Sequence, residues 1–212
     1  MERETLLKFH DISLDVAAWG IFRTGQSDVV NYSLSFCTTD TDVSCYSIGL
    51  NQAARNLGLF KKPEIVLTDS TNSIIPTNYL PISDPETPED REVLVFFSRA
   101  LPAHTGSYTL RIRAMVKGLT ADLLRQSHDV LSIRPQTSHT IDKEKFVIHL
   151  PEKYSGARMV QRSDGEDSQV VGRAMTKMEL ADFVPPGPRW ITLGWIGEEV
   201  QPDKPFGPSI QL

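Results

Sequence analysis

The sequence predicts a mainly β protein: an antiparallel β-sandwich, immunoglobulin-like or jelly-roll-like, with one or two short helices. The first observation is a series of short runs in which apolar and polar residues alternate, recurring roughly every ten residues. The second is the Gly, Pro, Asn and Asp residues that separate these runs. The third is the lack of strand–helix alternation, which argues against a parallel α/β fold.

The first two elements form a predicted hairpin. Residues 12–16 alternate as a half-buried strand, and residues 30–36 alternate again after the turn at 23–28. The WGIF segment between them either continues the first strand or bends it at Gly20. The residues that we expect to face inward in the second strand are Tyr32, Leu34 and Phe36.

The middle of the chain is less regular. Asn51 is a candidate cap for a short helix that ends at Gly58, and residues 63–69 return to strand. Residues 73–90 carry four prolines and are the best loop candidate for contact with a partner. The nearly continuous apolar run within 91–101 predicts a strand buried on both faces.

The strand of residues 108–117 alternates without interruption, with Tyr108, Leu110, Ile112, Ala114 and Val116 on one face. The sequence after it predicts one or two helical turns near Thr120, and TKMELADF, residues 176–183, is either a single helical turn or an edge segment. Short strands and the SDGED turn fill most of the remaining sequence.

We therefore assign residues 1–133 to the β-sandwich core and residues 134–144 to a linker or long loop. Residues 145–200 add strands that complete the sandwich or form a small second β unit. Residues 201–212 are rich in Pro and Gly and form an extended tail.

The stretch REVLVFFSRALPAHTGSYTLRIR, residues 91–113, resembles the E strand, E–F corner and F strand of an immunoglobulin-like domain. The resemblance implies that the hydroxyl of Tyr108 bonds back to the corner backbone and pins a crossover between two sheets, with Gly106 in the turn. It implies no functional residue, because binding in such folds is located on loops. Leu110 stands where many members have a cysteine.

Charge is distributed in blocks. Residues 1–107 hold 8 Lys+Arg against 14 Asp+Glu, residues 108–162 hold 10 against 5, and residues 163–212 hold 4 against 8. The basic middle suits association by complementary fields, whereas the net charge of −5 argues against nucleic acid or anionic lipid as partner. Candidate interface residues are Arg111, Arg113 and Lys117 on one strand face, and Trp190 and Trp195.

Residue spacing reveals no catalytic, cofactor or metal motif. None of the five histidines has ligand spacing, and no P-loop, GxSxG or GxGxxG sequence occurs. His149 lies between two apolar residues of a strand and is expected to face solvent. Cys37 and Cys45 are expected to be reduced thiols, since no secretory signal precedes them and an intracellular location is expected.

The function that these observations favour is non-catalytic. We expect a structural or assembly protein that self-associates or binds a protein partner, an expectation that extends to a viral matrix or capsid-type component. The alternative is an intracellular module that binds a carbohydrate or another ligand through an exposed Trp. A third hypothesis is a hydrolase whose residues converge only in three dimensions.

Overall fold

The computed structural model describes residues 7–23, 26–49, 58–83, 91–117, 119–130, 139–161, 172–201 and 207–212. The strands are β1 (Leu7–Ala17), β2 (Ser27–Thr38), β3 (Val43–Gly49), β4 (Gly58–Thr68), β5 (Ile74–Ile75), β6 (Thr77–Ser83), β7 (Arg91–Leu101), β8 (Tyr108–Lys117), β9 (His128–Val130), β10 (Ile141–Pro151), β11 (Arg158–Gln161), β12 (Arg173–Ala174), β13 (Trp190–Val200) and β14 (Pro208–Gln211). The described α-helices are α1 (Trp19–Phe22), α2 (Ala121–Gln126) and α3 (Lys177–Leu180). The predicted mainly β, sandwich-like fold with few short helices is confirmed.

The main core lies between a large and a small sheet. The large sheet has eight strands in the order β12-β13-β10-β1-β2-β8-β4-β5, and the small sheet has the order β3-β7-β6. Apolar residues of β1, β2, β8 and β10 pack in one buried cluster with residues of β3 and β7. A further three-stranded sheet, β11-β14-β9, adds Ile210 to the same cluster.

Alternation in the central strands decides which face is buried. All of the inward residues predicted for β2 and β8 are buried, and Ile12, Leu14 and Val16 of β1 are buried with them. The strands are in register across the sheet, with Leu14 opposite Tyr32 and Tyr32 opposite Ile112. A one-residue slip would turn every apolar side chain to the other face, so the pattern fixes this register.

The strand β7 departs from its prediction, because only one of its faces is buried. Val93, Val95 and Phe97 belong to the core, but Phe96 is 40% exposed. The cause is position: β7 lies in the outer small sheet, and the face that carries Phe96 points away from the large sheet. The continuous apolar run of β7 therefore belongs to a strand with one buried face and one exposed face.

The corner between β7 and β8 crosses from the small sheet to the large one, as predicted. Gly106 has a φ of 71°, a conformation that favours glycine, and a Cβ there would lie 3.1 Å from the Tyr108 ring. The hydroxyl of Tyr108 contacts Oγ1 of Thr105 at 3.3 Å rather than a backbone group, which corrects the predicted partner. Thr105 Oγ1 in turn donates to the carbonyl of Pro102.

The short helices match the sequence in part. Residues 19–22 form a helical turn, α1, instead of continuing β1 or bending it. The helical turns predicted near Thr120 are confirmed as α2, and of the two alternatives for residues 176–183 the structure has the helical turn, α3. The helix predicted after Asn51 lies outside the described residues.

The C-terminal third adds strands to the same large sheet. β10 pairs in parallel with β1 on one side and antiparallel with β13 on the other. Near the end of the chain, β14 pairs with both β11 and β9. The parallel β1–β10 contact therefore joins the N-terminal hairpin to the C-terminal strands.

Candidate functional site

Three aromatic side chains meet at one end of the large sheet. Trp19 and Phe22 come from α1, and Trp190 comes from the first position of β13. The ring centroids of Trp19 and Trp190 are 4.7 Å apart in an edge-to-face arrangement, and Phe22 stacks on Trp190 at 5.7 Å. Phe22 is 50% exposed and both Trp residues are half-buried, so the rings form an open surface.

Two arginines are sequence neighbours of these aromatic residues. Arg23 follows Phe22 directly and Arg189 precedes Trp190, and both are exposed. Neither has an ion-pair partner within the described part of the chain. We call Trp19, Phe22, Arg23, Arg189 and Trp190 the aromatic–arginine surface.

The β10 strand brings the parts of this surface together. It lies between β1, which leads into α1, and β13, which begins with Trp190. Pro151 of β10 is the Cα partner of Trp190, and the backbone amide of Ala18 donates to the carbonyl of His149 at 3.0 Å. Residues distant in sequence thus converge because three neighbouring strands end at the same edge.

A buried carboxylate, Asp28, holds α1 in place. Its Oδ1 accepts from the backbone amide of Gly20 at 2.7 Å, and its Oδ2 accepts from the amide and hydroxyl of Thr120, both at 3.0 Å. Burial raises the pKa of Asp28, while these hydrogen bonds from Gly20 and Thr120 act in the opposite direction. One side chain thereby ties α1 to the start of α2.

A row of polar side chains lies on the outer face of the large sheet, where Thr192 is two positions along β13 from Trp190. Nδ1 of His149 and Oγ1 of Thr192 are hydrogen-bonded at 2.9 Å. Nε2 of His149 is 2.9 Å from Oδ1 of Asp15, an ion-pair distance, although the two atoms are not hydrogen-bonded to each other. Asn31 donates to the other oxygen of Asp15 at 3.2 Å.

The expectation that His149 faces solvent is wrong, since its side chain is only 2% exposed. The ring fills the space between β1 and β13, where Asp15 and Thr192 supply polar neighbours. A hydroxyl beside a His–Asp pair is the set of groups found in nucleophilic sites. Here the ring is buried, and the row links three neighbouring strands of the large sheet, β1, β10 and β13.

The predicted interface residues do not converge. Arg111 and Arg113 are exposed on the outer face of β8, where Arg113 lies 4.0 Å from Glu64, and the side chain of Lys117 lies outside the described residues. Trp195 is buried, and a Cβ on Gly172 would lie 1.9 Å from its Nε1. Of the five residues, only Trp190 belongs to the aromatic–arginine surface.

Sequence reasoning missed Trp19 and Phe22 as site residues. The signal was present in WGIF, where two large aromatic side chains stand in a segment that lacks strand alternation. At a helical spacing of three residues such side chains share one face. Their meeting with Trp190 depends on the β10 pairing, which has no local signature.

The described residues hold no cluster of three or more His, Cys, Asp or Glu side chains placed to bind a metal ion. Among the helices in the described ranges, none is long and apolar enough to cross a membrane. Cys37 and Cys45 are both unpaired thiols, as expected.

No protein-family model matches the sequence, and no curated protein matches it. Among solved structures, a Parabacteroides distasonis protein named "putative protease" is similar over 97% of this chain, with a TM-score of 0.55 and 11% identity. The M1 zinc metallopeptidase of Deinococcus radiodurans is similar over 97% of this chain, with a TM-score of 0.47 and 10% identity. This chain spans 40% and 42% of those two chains. The first likeness shows a shared fold.

Proposed function

We propose that this protein is a non-catalytic interaction module that binds a protein partner, a second copy of itself included, through the aromatic–arginine surface. The observation that carries the proposal is the open aromatic cluster, in which Phe22 is 50% exposed beside the half-buried Trp19 and Trp190. Clustered Trp, Phe and Arg side chains are the residues that dominate binding energy at protein interfaces.

The way in which the cluster is held supports the same function. Asp28 fixes α1 through hydrogen bonds from Gly20 and Thr120, and the His149 row links β10 to β13, the strand that begins with Trp190. Rings held in this way lose little conformational freedom when a partner docks, which favours binding.

The test is site-specific photo-crosslinking in cells of the source organism. A photoreactive phenylalanine analogue replaces Phe22 in one variant and Met178, 86% exposed on α3, in the control. We expect protein adducts, including adducts between copies of this chain, at position 22 and not at position 178. Substitution of Trp190 by Ala should reduce their yield at least tenfold.

Equal yields at positions 22 and 178 would contradict the proposal.

The alternative function, binding of a carbohydrate or another small ligand, would use the same rings. It would be favoured by a glycan-array signal that Trp190→Ala abolishes, together with no protein adduct at position 22.

A further inference from the structure

The polar side-chain groups of the aromatic–arginine surface are all hydrogen-bond donors. They are the guanidinium groups of Arg23 and Arg189 and the indole N–H groups of Trp19 and Trp190, and neither kind of group can accept a hydrogen bond. Within the described part of the chain, none of these four side chains donates to another residue. The surface therefore offers donors and contains no acceptor side chain of its own.

Both arginines lie within side-chain reach of the rings. Arg23 follows Phe22 and Arg189 precedes Trp190, so the Cα of each arginine is about 3.8 Å from the Cα of a ring residue. The backbone of Arg23 is fixed at the end of α1, because its amide donates to the carbonyl of Trp19 at 3.0 Å. Since the rings of Trp19 and Trp190 are in contact, the two positive charges belong to one patch of the surface.

The charged residues that hydrogen bonds place beside this patch leave it positive. The amide of Glu152 donates to the carbonyl of Arg189 at 2.9 Å, and Glu152 and the following Lys153 are both exposed with opposite charges. The carboxylate of Asp28 beneath α1 is fully buried, and its oxygens accept from Gly20 and Thr120. Asp28 is therefore no acceptor for the arginines.

A carboxylate on a partner protein is the acceptor that suits this patch. A guanidinium group can donate two parallel hydrogen bonds to one carboxylate, and such charge-assisted pairs are stronger than neutral hydrogen bonds. The aromatic rings beside the arginines provide a surface on which an apolar side chain of the partner is buried. Phosphate groups would also accept from the arginines, but the net charge of −5 opposes the dense negative charge of a nucleic acid.

We infer that the aromatic–arginine surface recognises an acidic segment of its protein partner, in which Asp or Glu side chains lie next to an apolar residue. This inference rests on the function proposed above and adds the chemistry of the partner. The carboxylates pair with Arg23 and Arg189, and the apolar residue packs on the rings. Complementary charge of this kind selects the partner and sets its orientation.

The experiment repeats the crosslinking from position 22 in three double variants of the full chain. Arg23→Glu/Arg189→Glu reverses the charge of the patch, and Arg23→Lys/Arg189→Lys keeps the charge but removes the two-pronged guanidinium donor. The matched control is Arg111→Glu/Arg113→Glu, which changes the net charge by the same amount at two exposed positions on β8. Melting curves verify that each variant is folded.

We expect the charge reversal at positions 23 and 189 to lower the yield of protein adducts roughly tenfold or more, because the partner's carboxylates are then repelled. The lysine variant should keep part of the yield, and the β8 control should keep all of it. Mass spectrometry of the adducts should find partner peptides with more carboxylates than basic side chains, whether the partner is another protein or a second copy of this chain.

A yield that survives the reversal at positions 23 and 189, or falls equally in the β8 control, would overturn the inference and leave the proposed function standing. Partner peptides without an excess of carboxylates, or adducts to nucleic acid or lipid in place of protein, would also overturn it. The absence of any adduct at position 22 contradicts the proposed function itself, and the inference then falls with it.

Discussion

A single buried side chain can either raise or lower the free energy of unfolding of this fold, and Glu144 is the clearest case. It lies in the core, with no hydrogen-bond partner for Oε1 in the described part of the protein, and its burial raises its pKa well above the usual range. The folded state therefore holds a proton that the unfolded state releases at lower pH. The free energy of unfolding is therefore highest below the ordinary pKa of a glutamate, and it falls as pH rises toward the raised pKa of Glu144.

We expect Glu144→Gln to remove this loss and to raise the free energy of unfolding at neutral pH by about 1–3 kcal/mol, since the side chain is then neutral at every pH. Urea unfolding from pH 4 to pH 8 measures this change in the free energy of unfolding.

Glu179→Gln is the matched control, and its pH dependence has the opposite sign, because the hydrogen-bonded ion pair with Arg173 lowers the pKa of Glu179. The stabilisation that Glu179 provides is present at neutral pH and is lost as pH falls. A pH profile unchanged by Glu144→Gln would contradict the argument.

Residue-scale prediction from the sequence succeeds where one periodicity decides the outcome. The inward positions of β2 and β8 are buried because alternation and core burial agree there. His149 defeats the same reasoning, since a polar residue between two apolar ones occupies an outward position that Thr192 and Asp15 enclose. These two partners come from other strands, and the sequence near His149 contains no sign of them.

At the scale of elements, the position of α1 depends on Asp28. We expect Asp28→Ala to lower the free energy of unfolding by about 3 kcal/mol, because two amides and a hydroxyl lose a charged acceptor. It should also change the near-ultraviolet circular dichroism, since Trp19 moves relative to Trp190.

The control for this prediction is Asp69→Ala. Asp69 also accepts three hydrogen bonds, from Thr71 and Ser73, but in an exposed turn far from the aromatic rings. The substitution Asp69→Ala should leave the near-ultraviolet circular dichroism spectrum unchanged. Equal spectra for the two variants would show that Asp28 does not position α1.

At the scale of elements, the sequence predicts contacts between neighbours along the chain but not contacts between segments distant in sequence. The β1–β2 hairpin and the corner before β8 follow from local turn and strand signals. The aromatic–arginine surface does not, because α1 and β13 meet only through β10. The open face of β7 was hidden for a related reason: an apolar run does not indicate whether one or two layers cover it.

For the whole molecule, the parallel β1–β10 pair closes the longest loop in the large sheet and should form late in folding. Ile12 and Ile148 are both fully buried on the core face, Ile12 in the early hairpin and Ile148 in β10. We expect Ile12→Val to slow refolding and Ile148→Val to accelerate unfolding, each at a cost of about 1 kcal/mol. Stopped-flow measurements across a denaturant range separate the two effects, and slower refolding for Ile148→Val alone would contradict this order.

The same β1–β10 contact has a consequence during translation. Residues 7–117 of the large and small sheets leave the ribosome before residues 141–151, and at ordinary elongation rates the delay is on the order of a few seconds. Throughout that interval the free side of β1 is an exposed strand edge able to pair with another nascent chain. Chaperone binding, or a lower expression level that keeps nascent chains apart, should therefore improve the yield of this protein.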